Sequence, residues 1–119
     1  MALCPMEFDS TSFEEVTFSD LFDTSYKSSF VSSVTGAVRK MKDSSLYIVN
    51  INFTLDTGND WAVIGRFKKT FSPRIISPTV HDDGTIDGSF WSSDPSANTT
   101  AYKCLKSGLH HVNFMGSAT

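Results

Sequence analysis

Long apolar runs are missing from this 119-residue chain: the longest are four residues, as in Leu46–Val49 and Trp61–Ile64. A membrane-spanning helix needs about 20, so no membrane insertion is expected. Residues Met1 to Asp9 show no basic region and no apolar run of the kind a secretory signal needs. The expected setting is therefore the cytosol, or a particle assembled inside a cell. Cysteine is scarce. Cys4 and Cys104 are the two present, and neither forms a Cys-x-x-Cys pair, which excludes a zinc ribbon or thioredoxin-type motif. A bridge between them would stabilise by about 4–5 kcal/mol in a chain-entropy picture, but two free thiols are the expected state. Charge is thin as well. Lys plus Arg number 10 and Asp plus Glu 13, for a net charge of −3. A protein that grips phosphate backbones needs a cation surplus, so nucleic acid is not an expected partner. Helical periodicity is also lacking: no segment of ten residues repeats apolar positions at i, i+3, i+4 and i+7.

What is abundant is hydroxyl and ring. The chain holds 18 Ser and 12 Thr, and 10 Phe raise the aromatics to 13%. That composition suits half-buried pleated surfaces. The clearest pattern is Tyr47, Val49, Ile51, Phe53 and Leu55 alternating with Ile48, Asn50, Asn52 and Thr54. Period two places the first set on one face of a strand, the core face. Val34 to Met41 alternates more weakly and joins it through the polar turn Lys42–Ser45, as a hairpin.

Further strands are expected over Trp61–Phe67, with Trp61, Val63, Gly65 and Phe67 on the core face, and over Ile75–Val80, where Pro78 implies an edge. Ser72-Pro73-Arg74 reads as a loop. Asp82-Asp83-Gly84 is a hairpin turn into Thr85–Trp91. Ser92–Thr100 reads as a long exposed loop, followed by strands over Ala101–Leu105 and Leu109–Met115. Residues 1–33 read as an arm with one or two short strands, one of them at Val16–Phe18, and with Ser19 capping a turn of helix. Residues 34–119 then form the main body of a single domain. The expected fold is all-β, a jelly-roll-like β-sandwich of seven or eight short antiparallel strands.

Between Ser33 and Phe90, Ile64-Gly65-Arg66-Phe67 stand at a strand end, Phe71-Ser72-Pro73-Arg74 in the following loop, and Asp83-Gly84-Thr85-Ile86 at a turn. On these residues the stretch resembles the head or tip domains of bacteriophage and prophage tail-fibre and baseplate proteins. Lys68-Lys69 departs from the family's usual turn, and the last 30 residues have no counterpart. The resemblance implies a β-sandwich assembled as a homotrimer in the virion tail tip, contacting other tail or baseplate proteins and recognising host-surface carbohydrate. It transfers no binding residue.

The contact residues expected from the chain itself are Trp91, Asp94, Asn98 and Tyr102. Trp91 follows Phe90, so if Phe90 is buried Trp91 faces out. There it would stack a sugar ring while the loop's Asp94 and Asn98 bond its hydroxyls. The plainer reading has Trp91 cover the end of the core, and Tyr102 be core or a partner to Trp91.

His81, Asp82, Asp83 and Asp87 bracket one hairpin and read as a solvated turn, with a calcium site as the sharper alternative. His110 and His111 are adjacent in a strand, so their rings point to opposite faces and do not converge on one metal. Arg39-Lys40, Lys42, Lys68-Lys69 and Arg74 read as a solvated edge, or else as a patch for an anionic glycan. The two sequons, at Asn52 and Asn98, are discounted without a secretory route. No Gly-x-Ser-x-Gly elbow occurs, and Glu14-Glu15 lie in the arm. No enzyme and no cofactor or metal is expected. The alternatives are a virion assembly protein that binds no sugar, or a small β-barrel hydrolase.

Overall fold

The computed structural model describes residues 12–57, 59–87, 89–93, 99–104 and 106–118. Its centre is the expected hairpin. Strand β3 (Val31–Met41) pairs antiparallel with β4 (Leu46–Leu55). The turn between them is closed by Asp43 in the left-handed region, φ 57°. Asp tolerates that conformation through its short polar side chain. The alternating set Tyr47, Val49, Ile51, Phe53 and Leu55 is buried. Along its other edge β4 pairs with β11 (Gly108–Ala118), whose His110, Val112, Phe114 and Ala118 continue the buried face.

The far edge of β11 is shared. Residues Phe114–Ala118 pair with β6 (Phe71–Ile76), and His110–His111 pair with β7 (Thr79–His81). The expected strand over Ile75–Val80 is thus two strands, broken at Ser77-Pro78. Pro73, expected in a loop, lies within β6, where an edge position spares it from donating to a ladder. A hairpin turn at Asp82–Gly84 returns the chain into β8 (Ile86–Asp87). On the opposite flank β1 (Phe13–Val16) pairs with β3. The large sheet therefore runs β1-β3-β4-β11-β7-β8, with β6 also on β11.

A smaller sheet covers it: β2 (Phe22–Asp23), β5 (Asn59–Phe67), β10 (Thr99–Cys104) and β9 (Ser89–Ser93), in the order β2-β5-β10-β9. Eleven antiparallel strands are present among the described residues, and the fold is all-β. Two sequence expectations shift here. The run Thr85–Trp91 is divided: β8 belongs to the large sheet and β9 to the small one. Of the expected loop Ser92–Thr100, Ser92–Ser93 and Thr99–Thr100 are the ends of β9 and β10, and residues 94–98 lie outside the described residues.

The core face of β5 is also re-phased. Thr100 pairs with Gly65 but Ala101 pairs with Val63, so Ile64 is an extra residue on β5. Such a bulge reverses parity along the strand. Ala62 and Ile64 are buried, Val63 is half-buried, and Phe67 is back in the core. Trp61 had been expected in that core, but its side chain lies outside the described residues. Gly65 adopts φ +155° against the Phe22 ring. A Cβ there would sit 2.5 Å from the Asp23 carbonyl oxygen, so the position requires glycine.

Between the sheets the aromatic rings interlock. Phe67 stacks on Phe71 at 4.3 Å and meets Phe114 and Phe22 edge-on at 5.7 and 5.1 Å. Such pairs add to simple area burial. Leu21 and Phe22 bring the N-terminal segment into the same core. Leu21 closes α1 (Phe18–Leu21), a single helical turn whose N-cap is Thr17 rather than the expected Ser19. The short strand expected at Val16–Phe18 lies earlier, as β1.

Candidate functional site

β9 and β10 form one hairpin at the edge of the small sheet. Trp91 is paired with Ala101, and Tyr102 with Phe90. Two residues 11 apart in sequence thus stand in neighbouring strands, one register step from each other. They are not directly opposed as a cross-strand pair. Their side chains lie outside the described residues, as do Asp94 and Asn98, which fall in the connection between the strands.

The root of this hairpin is tied. Asp87 precedes β9 and Lys106 follows β10, and the Lys106 backbone N–H donates to Asp87 Oδ2 at 3.0 Å. His110 Nε2 lies 3.1 Å from the same oxygen, and its Nδ1 lies 3.2 Å from the Gly108 carbonyl oxygen. The His110 ring is fully buried, stacked on Phe53 at 5.4 Å. The Thr79 hydroxyl donates to the Asp87 carbonyl oxygen. One carboxylate therefore links β8, the turn before β11, and β11 itself. A buried polar group without such a partner costs roughly 1–3 kcal/mol, so the contacts bind these elements together.

A second histidine extends the network outward. The His81 ring meets the His110 ring edge-on at 4.9 Å. Its Nε2 lies 2.9 Å from the Ser107 carbonyl oxygen and its Nδ1 3.2 Å from Asp83 Oδ1. Asp83 Oδ1 accepts from both the Thr85 hydroxyl and the Thr85 amide, at 2.5 and 2.9 Å. These bonds, then His81 and the nearby Lys106 ammonium, hold its carboxyl well below the ordinary range. The three carboxylates of the region diverge: Asp83 serves Thr85, Asp87 serves His110, and Asp82 lies 3.8 Å from His111. No group of three or more possible metal ligands converges among the described residues.

Four basic groups are likewise committed. Arg39 lies 3.8 Å from Glu15 and Lys40 lies 3.1 Å from Glu14, both across the β1–β3 pair. Lys69 is 3.4 Å from the Tyr47 hydroxyl, and the Arg66 guanidinium sits 4.0 Å over the Tyr26 ring.

The tie at Asp87 was missed by sequence reasoning. The signal available was parity, since His110 shares the inward face of β11 with Val112 and Phe114. Nothing local pointed to Asp87 as its partner, 23 residues away.

No family model, curated protein or solved structure matches this chain.

Proposed function

We propose that the chain is a receptor-binding domain of the phage or prophage tail-tip type, recognising host-surface carbohydrate through the β9–β10 hairpin. The observation that carries this reading is the hairpin itself: it ends in the connection that holds Asp94 and Asn98, with Trp91 near that end, while Tyr102 is paired with Phe90 and so stands at a position of opposite parity to Trp91, which leaves Trp91 as the stacking ring. An aromatic plane with neighbouring amides and carboxylates suits a sugar, whose C–H face is apolar and whose rim is hydroxyl. Single sites of this kind are weak, and assembly as a homotrimer in the virion would multiply them by avidity. Of the motifs behind the family likeness, Asp83-Gly84 closes the β7–β8 hairpin, whereas Gly65 lies within β5 and Phe71–Arg74 within β6 rather than in a loop.

A glycan array with the full chain tests this, against Trp91→Ala. The expected result is binding by the parent chain that the variant loses while keeping its thermal midpoint. Equal binding by both removes Trp91 from the site. No binding by either rejects carbohydrate recognition.

A second reading has its own observation. Ile75 and Ile86 are 61% and 72% exposed on the outer strands of the large sheet, as suits packing against a neighbouring virion protein. Light scattering on a sizing column addresses assembly. A homotrimer of the 13.1 kDa chain gives about 39 kDa. A monomer removes the avidity argument.

A further inference from the structure

The outward face of the large sheet holds a cleft of about 320 Å³, lined by Phe13, Glu15, Ala37, Arg39, Ile48 and Asn50 with the Val38 backbone strand beneath. Its origin is a small residue between long ones. Glu15, Arg39 and Ile48 form one row across β1, β3 and β4, and Ala37 pairs with Asn50 in the next. β1 ends at Val16, opposite Val38, so no β1 residue stands across from Ala37. The floor is then methyl and backbone, and the walls are a ring, a branched aliphatic chain and three planar polar groups.

We infer that this cleft is a binding site for a neutral pyranose unit of a saccharide. The inference rests on the carbohydrate reading above and adds a second site, on the opposite sheet from the β9–β10 hairpin. Three features select the ligand class. The first is charge: Glu15 and Arg39, 3.8 Å apart, cancel, so neither an anion nor a cation gains from entering. The second is hydrogen-bond capacity. A carboxylate accepts, a guanidinium donates, and the Asn50 amide does both, which matches adjacent hydroxyls that must each donate and accept. The third is the apolar lining. Phe13, Ala37 and Ile48 offer a surface to the C–H face of a sugar ring. The volume falls at the lower end of ligand pockets, about 300–1,000 Å³, enough for one ring rather than a long chain. The Glu15–Arg39 pair costs little to open, because both side chains are largely exposed at 86% and 62% and such pairs contribute little in water.

The test is a ¹H–¹⁵N NMR titration of the full chain with methyl α-D-glucopyranoside, methyl β-D-galactopyranoside and N-acetylglucosamine, with N-acetylneuraminic acid as a charged comparison. With at least one neutral sugar, the backbone amides of Glu15, Ala37, Arg39 and Asn50 should shift. Ala37→Phe, which fills the cleft from an exposed strand position, should abolish those shifts and leave the rest of the spectrum in place. Asn50→Ala, should the first variant misfold, ought to weaken the fitted affinity about tenfold, the loss expected for one well-made hydrogen bond to a ligand. Shifts confined to Ser92, Ser93, Thr99 and Thr100 would overturn the cleft and leave the carbohydrate reading standing. Tighter binding of the neuraminic acid at the cleft would overturn its neutral selectivity. Silence toward every probe would overturn the cleft, and the glycan array then decides separately on the wider reading.

Discussion

Asp87 and Lys106 stand at the two roots of the β9–β10 hairpin, and the Lys106 amide closes onto the Asp87 carboxylate at 3.0 Å. The hairpin proposed to carry the sugar contacts is thereby pinned at its base. The buried His110 ring stands behind the same oxygen. Orientation of the hairpin against the large sheet depends on this small polar cluster as well as on apolar packing.

Asp87→Ala should therefore destabilise the fold by about 2–4 kcal/mol, because it removes a charged acceptor and leaves His110 Nε2 unsatisfied. Urea unfolding measures the loss. Hydrogen exchange should quicken more at residues 99–104 than at the β3–β4 hairpin. Uniform acceleration across both would show that the cluster does not act locally.

Replacing the buried member differently gives a contrasting result. His110→Phe alone removes the buried partner of the Asp87 carboxylate and leaves it the Lys106 amide, whereas His110→Phe with Asp87→Leu replaces both members of the buried pair by apolar groups. The double variant should recover most of the stability lost by the single one. The comparison is read as a double-mutant cycle in urea.

Gly65→Ala should cost about 1–3 kcal/mol or more. The backbone sits at φ +155° and the added Cβ would press on Phe22 and on the Asp23 carbonyl. A thermal midpoint several degrees lower is the expected reading.

Asp83 gives a pH signature whose sign follows from its depressed folded-state pKa. Its bonds to Thr85 contribute stability above the unfolded value of 3.8, and lose it as pH falls through the lower folded value. The stability difference between the parent chain and Asp83→Asn should be full at pH 6 and shrink below about pH 4. Urea midpoints taken across that range test it. A difference that grows on acidification would contradict the assignment.

Ile51→Ala, at the centre of β4 and fully buried, should cost about 2–5 kcal/mol through lost transfer energy and the cavity left behind. The unfolding midpoint should fall with the cooperative slope unchanged.

Much of the fold was legible because alternation is a local property. Consecutive side chains of a strand leave opposite faces, so Tyr47 through Leu55 declare their burial without reference to any partner. The turns at Lys42–Ser45 and Asp82–Gly84 were legible for the same reason: short polar residues and glycine take conformations that others avoid. The core phase of β5 was not legible. It depends on a bulge opposite β10, and one extra residue at Ile64 moved Ala62 inward where Val63 had been expected. The division of Thr85–Trp91 between two sheets was hidden likewise, since each half alternates acceptably and only its pairing partner differs.

The two sites divide along the same line. Trp91 and Tyr102 could be singled out from the chain, because an aromatic beside a Ser- and Asn-rich stretch is a local feature. The cleft around Ala37 could not, since Phe13, Glu15, Arg39 and Asn50 become neighbours through the register of three strands. By itself the sequence determined that this protein is all-β, which faces of its long strands are buried, and where most of its tight turns fall. Those are short-range consequences of pleat geometry and turn chemistry. Tertiary structure alone decided the bulge, the change of sheet, the Asp87–His110 tie and the cleft, because each depends on which distant strand becomes a neighbour.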